Sequence, residues 1–306
     1  EEMVRQYIQL DPEGLHPRTE LSKIYQKQGK WKEAEEMVRQ YIQLDPEGLH
    51  PRTELSKIYQ KQGKWKEAEE VLNRLIHFAP KNVYAYTEYG RLHSFWSQAI
   101  RSQDRKKANQ LIWVYRNYIA KSYWVDKTNL PSLMELAKIY RFWRQPRAAI
   151  AFIDQALRIQ PKDLTSLLEK IKTLRFLFAR EEIAQLQAKG QAYLQSNPHL
   201  KKKYAFNQYQ PEYYDDRRLI SLNESGIIVI QPSYRQVIQD DGKTYSIPEQ
   251  ASVNTMLKDG EKVFFALYQN EGKIFSDNIE PYFDEVEDLP LLQGNKQITP
   301  PPVPSP

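Results

Sequence analysis

Apolar residues recur at helical spacing through the first two thirds of the chain and at shorter, strand-like spacing after that. Within residues 15–48 they form two blocks separated by Gly29. Recurrence every three or four residues places apolar side chains on one face of a helix, and a glycine between two such blocks is typical of a turn. The pattern predicts two helices, at about residues 17–28 and 31–44.

This helical hairpin returns at a fixed period. Residues 1–36 and 35–70 are identical at an offset of 34. Such a period is typical of a solenoid, in which each unit covers the apolar face of its neighbour. The predicted solenoid occupies residues 1–203, with a half repeat at 1–14, repeats at 15–48, 49–82, 83–129 and 130–163, and a degenerate repeat at 164–198. The perfect identity favours an engineered duplication, and a very recent natural duplication is the alternative.

The hairpins resemble the tetratricopeptide repeat (TPR). That family places a large apolar residue, small residues and an aromatic residue around the crossing of two helices, a glycine in the turn and a proline at the close. The matching residues are Leu21, Ser22, Ala34, Tyr25, Gly29 and Pro46, then Leu55, Ser56, Ala68, Tyr59, Gly63 and Pro80. In the third repeat, Gly90 and Ala108 are assigned as the small residues, and six extra residues near 97–104 lengthen the hairpin. In the fourth repeat, Arg144 stands where the turn glycine is expected.

The resemblance implies a peptide-binding groove, because the first helix of each TPR lines the concave face. Equivalent positions form a cationic row (Lys23, Lys57, Arg91, Lys138) and two flanking rows (His16, His50, Tyr84, Pro131 and Lys27, Lys61, Phe95, Phe142). The predicted groove residues are Lys23, Lys57, Arg91, Lys138, His50, Tyr84, Phe95 and Phe142. The functional interpretation is capture of an extended, acidic protein segment.

An alternative interpretation of the cationic row has equal weight. A glutamate precedes each cation by three residues (Glu20, Glu54, Glu88 and Glu135). Residues at this spacing are neighbours on a helix, so each glutamate can pair with its cation on an ordinary solvated surface.

Helical periodicity stops near Lys203, and residues 204–216 are predicted to be a linker. Five strand-like runs follow, at 217–223, 226–231, 243–248, 262–268 and 273–280, and Asn270-Glu271-Gly272 predicts a hairpin. Their order and spacing resemble a cold-shock, OB-type β-barrel over residues 217–288. Residues 289–306 are predicted to be a proline-rich tail, because proline lacks the N–H that helices and sheet ladders need.

Charge divides the chain at the same place. Residues 204–306 contain 8 Lys and Arg against 16 Asp and Glu, which leaves +13 for residues 1–203. Cold-shock domains bind single strands with stacked aromatics beside a basic groove; here Tyr245 is the one aromatic left at those positions. The second candidate function is therefore an RNA-associated protein that uses the basic solenoid face and Tyr245, and the acidic barrel makes it the weaker one.

Candidate chemistry is sparse. Cysteine is absent, and the five histidines lack metal-ligand spacing with carboxylates. The sequence therefore predicts a protein that is not an enzyme, with no cofactor and no metal. It also predicts a cytoplasmic protein that binds no membrane and that self-associates through its exposed N-terminal half repeat.

Overall fold

The computed structural model describes residues 2–11, 15–45, 48–206, 218–251, 253 and 257–297. It divides into two compact units, Glu1–Ser132 with Gly294–Pro306, and Leu133–Gln293. The predicted linker residues 207–216 and the tail residues 298–306 lie outside the described part.

The first unit holds the duplicated repeats. Its helices are α1 (Glu2–Leu10), α2 (Leu15–Lys27), α3 (Trp31–Leu44), α4 (Leu49–Lys61), α5 (Trp65–Phe78), α6 (Val83–Ile100) and α7 (Arg105–Val125). The predicted helix pair and its period are confirmed, because α2–α3 and α4–α5 repeat at 34 residues. One continuous core runs through them, with Leu21, Leu55 and Leu72 almost fully buried.

The turns of the two duplicated hairpins, α2–α3 and α4–α5, share one backbone motif. Gly29 and Gly63 take φ values of 72° and 73°, in the left-handed region. The next residue's N–H then bonds to the carbonyl five residues earlier, as from Lys64 to Tyr59 at 2.9 Å. This pairing satisfies the carbonyls that a helix end leaves free, so the two helices join without a longer loop.

The third hairpin is longer than its neighbours, as predicted, but its crossing differs from the prediction. Ser97, not Gly90, takes the small position opposite Ala108: its hydroxyl donates to the Ala108 carbonyl at 2.8 Å, as Ser56 does to Ala68 at 3.3 Å. Gly90 instead faces Ile119, whose Cδ1 would lie 3.0 Å from an added Cβ. α6 and α7 are longer than α4 and α5 at the ends that adjoin the turn. Gly90 therefore lies opposite the later part of α7.

The second unit combines the last repeats with a sheet. Its helices are α8 (Leu130–Phe142, which starts in the first unit), α9 (Pro146–Ile159), α10 (Leu164–Leu174), α11 (Arg180–Ser196) and α12 (Pro290–Gln293), with single 3-10 turns at Arg175–Leu177, Pro198–Leu200 and Val286–Asp288. The degenerate fifth repeat keeps its hairpin, and Ile183 is buried at the expected small position. The segment assigned to the tail begins with α12, in which Leu292 is buried.

The C-terminal strands form one antiparallel sheet in the order β3-β2-β1-β4-β5. The strands are β1 (Arg218–Gln231), β2 (Tyr234–Gln239), β3 (Thr244–Ser246), β4 (Lys262–Asn270) and β5 (Lys273–Pro281). The predicted hairpin between β4 and β5 is confirmed. The first two predicted strands are one long strand, and β2 was not predicted. The sheet is not closed into a barrel, so the expected OB-type fold is confirmed only as a small antiparallel sheet.

β2 escaped sequence analysis because its apolar residues, Tyr234, Val237 and Ile238, do not alternate with polar ones. Val237 is its single fully buried residue, and it pairs with Ile228 across β1. One buried position in six residues is too few to reveal an alternating pattern.

The sheet packs against the last repeats within the second unit. β1 and β5 each contain a register irregularity, near Ser221 and Asn278, and Asn278 takes a φ of 52°. Bulges turn backbone groups out of the ladder. Here they aim the carbonyls of Leu222 and Asn278 at the side chain of Arg147 at the start of α9.

Candidate functional site

The predicted groove residues lie on the first helices of the repeats, on α2, α4 and α6 in the first unit and on α8 in the second. Lys23, Lys57 and Lys138 are exposed, and Arg91 is half-buried. The flanking His50 is exposed, and so are three aromatic side chains: Tyr84 by 60%, Phe95 by 52% and Phe142 by 70%.

Each cation of the predicted row pairs with the glutamate three residues before it. The distances are 2.7 Å for Lys23–Glu20, 2.8 Å for Lys57–Glu54, 2.9 Å for Arg91–Glu88 and 3.0 Å for Lys138–Glu135. The hydrogen bond from Lys23 lowers the pKa of Glu20, and the same bond raises the pKa of Lys23. The pairing that the sequence left open is therefore present at all four positions.

The flanking row of Lys27, Lys61, Phe95 and Phe142, which we call the third row, differs from the cationic row in its partners. Lys27 and Lys61 end α2 and α4 and are exposed. Within the part of the chain that the structure describes, neither forms an ion pair. Phe95 follows them in register on α6, so the first unit presents two exposed lysines and one exposed ring along equivalent positions.

The fifth repeat extends two of these rows, which sequence analysis missed. Lys172 pairs with Glu169 at 3.2 Å, and Phe176 is 42% exposed. Stepping the period of 34 residues from Lys138 and Phe142 reaches both positions. The interpretation of the fifth repeat as a cap does not reveal them, because it assigns that repeat no place in the rows.

Tyr245, the predicted nucleic-acid contact, is partly buried against the core of the sheet. Its ring packs against the core cluster around Val237 and Ile247, with its centroid 6.3 Å from that of Phe265. A ring that packs against the core in this way has only part of its surface left for stacking a base. The RNA-associated alternative is therefore unsupported.

The most buried charged pair in the second unit was not anticipated. Arg147 Nη1 lies 2.6 Å from Glu280 Oε1, and the two side chains are 5% and 2% exposed. The backbone N–H of Arg147 donates to the other carboxylate oxygen at 3.1 Å. Burial raises the pKa of Glu280 to about 7, against the opposing effect of Arg147. The pair joins α9 to β5 and leaves neither group exposed to a ligand, so it is structural.

Among the described side chains, no three of His, Asp and Glu gather in a way that could hold a metal ion. In that same part of the chain, no helix has the length and apolarity that crossing a bilayer requires.

Comparisons with known proteins identify the repeats. Family models of the tetratricopeptide repeat match residues 27–88 and 130–163. A search of curated proteins found no match. The fold is similar to TTC0263, a thermophilic TPR protein in Thermus thermophilus, with a TM-score of 0.50 and 14% identity over 62% of this chain and 97% of that one.

Two further solved structures show weaker similarity. The human IFIT1 dimer with PPP-AAAA has a TM-score of 0.45 and 15% identity over 64% of this chain and 50% of that one. MamA protein has a TM-score of 0.39 and 16% identity over 62% of this chain and 94% of that one. Together, the family models and the similarity to TTC0263 show that the N-terminal part of the chain is a helical solenoid of tetratricopeptide repeats.

Proposed function

We propose that the chain is a non-catalytic adaptor that captures an extended acidic segment of a partner protein along the first helices of its repeats. Proteins built from tetratricopeptide repeats generally mediate protein–protein interactions and are typically scaffolds. The observation that carries the acidic preference is the third row, where Lys27 and Lys61 are exposed without an ion pair among the described residues.

The paired cations of the cationic row are also suited to bind an acidic segment. Exposed ion pairs at this spacing contribute only about 0.3–0.5 kcal/mol. A carboxylate of a bound segment therefore replaces Glu54 beside Lys57 at little cost. Phe95 supplies apolar surface next to the cations, which favours a segment that alternates acidic and apolar side chains.

Charge reversal tests this site. We expect Lys57→Glu with Arg91→Glu to weaken binding of a Glu- and Leu-containing peptide at least about tenfold, which corresponds to about 1.4 kcal/mol, measured by fluorescence anisotropy. A peptide with Gln in place of Glu serves as the ligand control. The matched protein control is Lys32→Glu with Lys66→Glu, which makes the same charge change at exposed positions of the second helices α3 and α5.

The outcomes of this test distinguish binding at the predicted groove from attraction by the net charge of the protein. Equal weakening by both double variants would assign binding to net charge alone. Unchanged affinity in the Lys57 and Arg91 variant would remove the first-helix face as the site. Circular dichroism checks that both variants remain folded.

We also propose that the sheet is an open variant of the OB-type barrel. Support comes from its two edge strands, which approach each other: Ser276 on β5 donates to the carbonyl of Ser246 on β3 at 3.0 Å, and Val253 forms a parallel bridge to Ile279. OB folds are themselves partly open five-stranded barrels.

Two further expectations stay predictions. Self-association through α1 would use its exposed apolar side chains, of which Met3 is 80% and Leu10 83% exposed. The cytoplasmic location is likewise a prediction.

A further inference from the structure

The outer side of α7 carries a set of aromatic and amide side chains that the repeat core does not use. Trp113 is 66% exposed, although tryptophan is a large apolar residue that proteins seldom leave in water. Asn117 and Trp124 follow it along α7, and their spacings of four and then seven residues place all three on one side of the helix. We call this surface the α7 outer face, defined by Trp113, Asn117 and Trp124.

The C-terminal segment of the same unit is anchored on this face. Asn295 is 8% exposed, and its Nδ2 donates to Asn117 Oδ1 at 2.7 Å. The ammonium group of Lys296 lies 5.8 Å from the centre of the Trp124 ring. The contact between the two asparagines joins positions that are 178 residues apart in the chain, and it brings the end of the described segment onto α7.

The residues that come next have the composition that aromatic surfaces bind. Residues 298–306 read ITPPPVPSP and lie outside the described part. Proline fixes φ near the polyproline II value, so a proline-rich segment loses little conformational entropy when it binds. Grooves lined by aromatic side chains bind such segments.

The distances suit binding within one molecule. Four helical residues separate Asn117 from Trp113, a rise of about 6 Å. A segment of the length of 298–306 spans about 28 Å in a polyproline II conformation. Lys296 lies near Trp124, which is eleven helical residues from Trp113, a rise of about 16 Å. A segment of this length that begins just beyond Lys296 therefore still reaches Trp113 with residues to spare.

We propose that the α7 outer face is an intramolecular binding site for the proline-rich segment 298–306. The segment covers the ring of Trp113, and Asn295 sets its starting point. This role is independent of the adaptor groove, because Trp113 lies on a second helix and the groove residues lie on first helices.

Fluorine NMR of the full chain tests the proposal. The chain is labelled with 5-fluorotryptophan, and the Trp113 resonance is assigned with Trp113→Phe. We expect a chain that ends at Gln297 to shift the Trp113 resonance and to leave that of Trp65, which stacks on Trp96, unchanged. Adding the free peptide of residues 298–306 in excess should move the Trp113 resonance back. An identical Trp113 resonance in the full and shortened chains would overturn the proposal.

Substitutions within the segment show whether the prolines are responsible. Pro301→Ala with Pro302→Ala and Pro304→Ala should reproduce the shift, and Ser305→Ala should not. If Ser305→Ala shifts the Trp113 resonance as much as the proline variant, recognition is not of the polyproline type. If the Trp113 resonance of the full chain changes on dilution, the segment belongs to a second copy, and the intramolecular site is rejected.

Discussion

At the scale of single residues, four of the five hairpin turns use a left-handed backbone, and the repeats supply it with different residues. Gly29 and Gly63 adopt it freely. Arg144 and Phe178 adopt the same geometry at φ values of 55° and 52°. In both cases the following N–H bonds to the carbonyl five residues earlier, as from Gln145 to Tyr140 at 2.9 Å. Arg144 and Phe178 therefore adopt the turn geometry although the left-handed region is sterically unfavourable for a residue with a Cβ.

Arg144 allows a direct measurement of that cost. Its side chain is exposed, so Arg144→Gly changes little except the backbone preference. We expect the free energy of unfolding to rise by about 1 kcal/mol, measured by urea denaturation. The matched control is Gly63→Ala, which should lower the stability by a similar amount. A loss of stability in Arg144→Gly would mean that the arginine side chain stabilises the turn.

At the scale of elements, strand irregularities and a helix start together build the junction between the repeats and the sheet. Arg147 donates to two strand carbonyls, of Leu222 at 2.9 Å and of Asn278 at 2.7 Å, and to the carboxylate of Glu280. Asn278 also donates to the Tyr268 hydroxyl, which itself donates to the Leu177 carbonyl at 3.0 Å. Removing one partner of such a buried pair leaves the other charge unpaired, which typically costs about 3–5 kcal/mol.

The pKa of Glu280 gives this junction a pH dependence with a definite sign. The folded value of about 7 lies above the usual 4.5. The stabilisation is therefore complete below about pH 4.5 and is lost as the pH rises through about 7. Since one pKa unit corresponds to about 1.4 kcal/mol, the wild type should lose up to about 3 kcal/mol relative to Glu280→Gln across this window.

Denaturation of both proteins at about pH 4.5, 6 and 8, which brackets this window, measures the difference. Glu249→Gln, at an exposed position of the same sheet region, is the matched control and should track the wild type at each pH. A difference that grows in favour of the wild type with rising pH would show that Arg147 dominates and lowers the pKa of Glu280.

At the scale of the molecule, the repeat array ends on the sheet within the second unit. Leu219 and Leu222 of β1 pack against the core cluster of α10 and α11, which contains Leu167, Ile171 and Phe206. A stack of repeats needs a cover for its last apolar face, because each repeat contacts only its neighbours. The sheet supplies that cover together with the fifth repeat.

Removal of the sheet should therefore expose the last repeats. We expect a chain that ends at Phe206 to melt at a lower temperature and to bind the dye ANS, since the faces covered by Leu222 and Glu280 become accessible. A chain that ends at Gln297 keeps the sheet. It should melt at the same temperature as the full chain and should not bind ANS. A solenoid that melts like the full chain after the truncation would show that the fifth repeat alone is a sufficient cap.

The sequence by itself determined the repeats and the places of Lys23, Lys57, Arg91 and Lys138 on their first helices. Period, helix limits and turn positions depend on spacings within about 34 residues, which a single chain displays directly. The spacing of three residues between each glutamate and its cation left ion pairing as one of two interpretations. The structure contains all four of these ion pairs.

Only the tertiary structure decided which of these positions are covered. Lys32, Lys66 and Arg147 occupy the same place in three repeats, yet the two lysines are exposed and Arg147 is buried. The difference arises because a strand 133 residues away places Glu280 against Arg147. Likewise, β2 and the packing of the Tyr245 ring against a phenylalanine of β4 depend on strand pairing across the sheet. Local spacing cannot report a contact whose partner is remote in the chain, so burial and charge pairing across the fold had to come from the folded molecule.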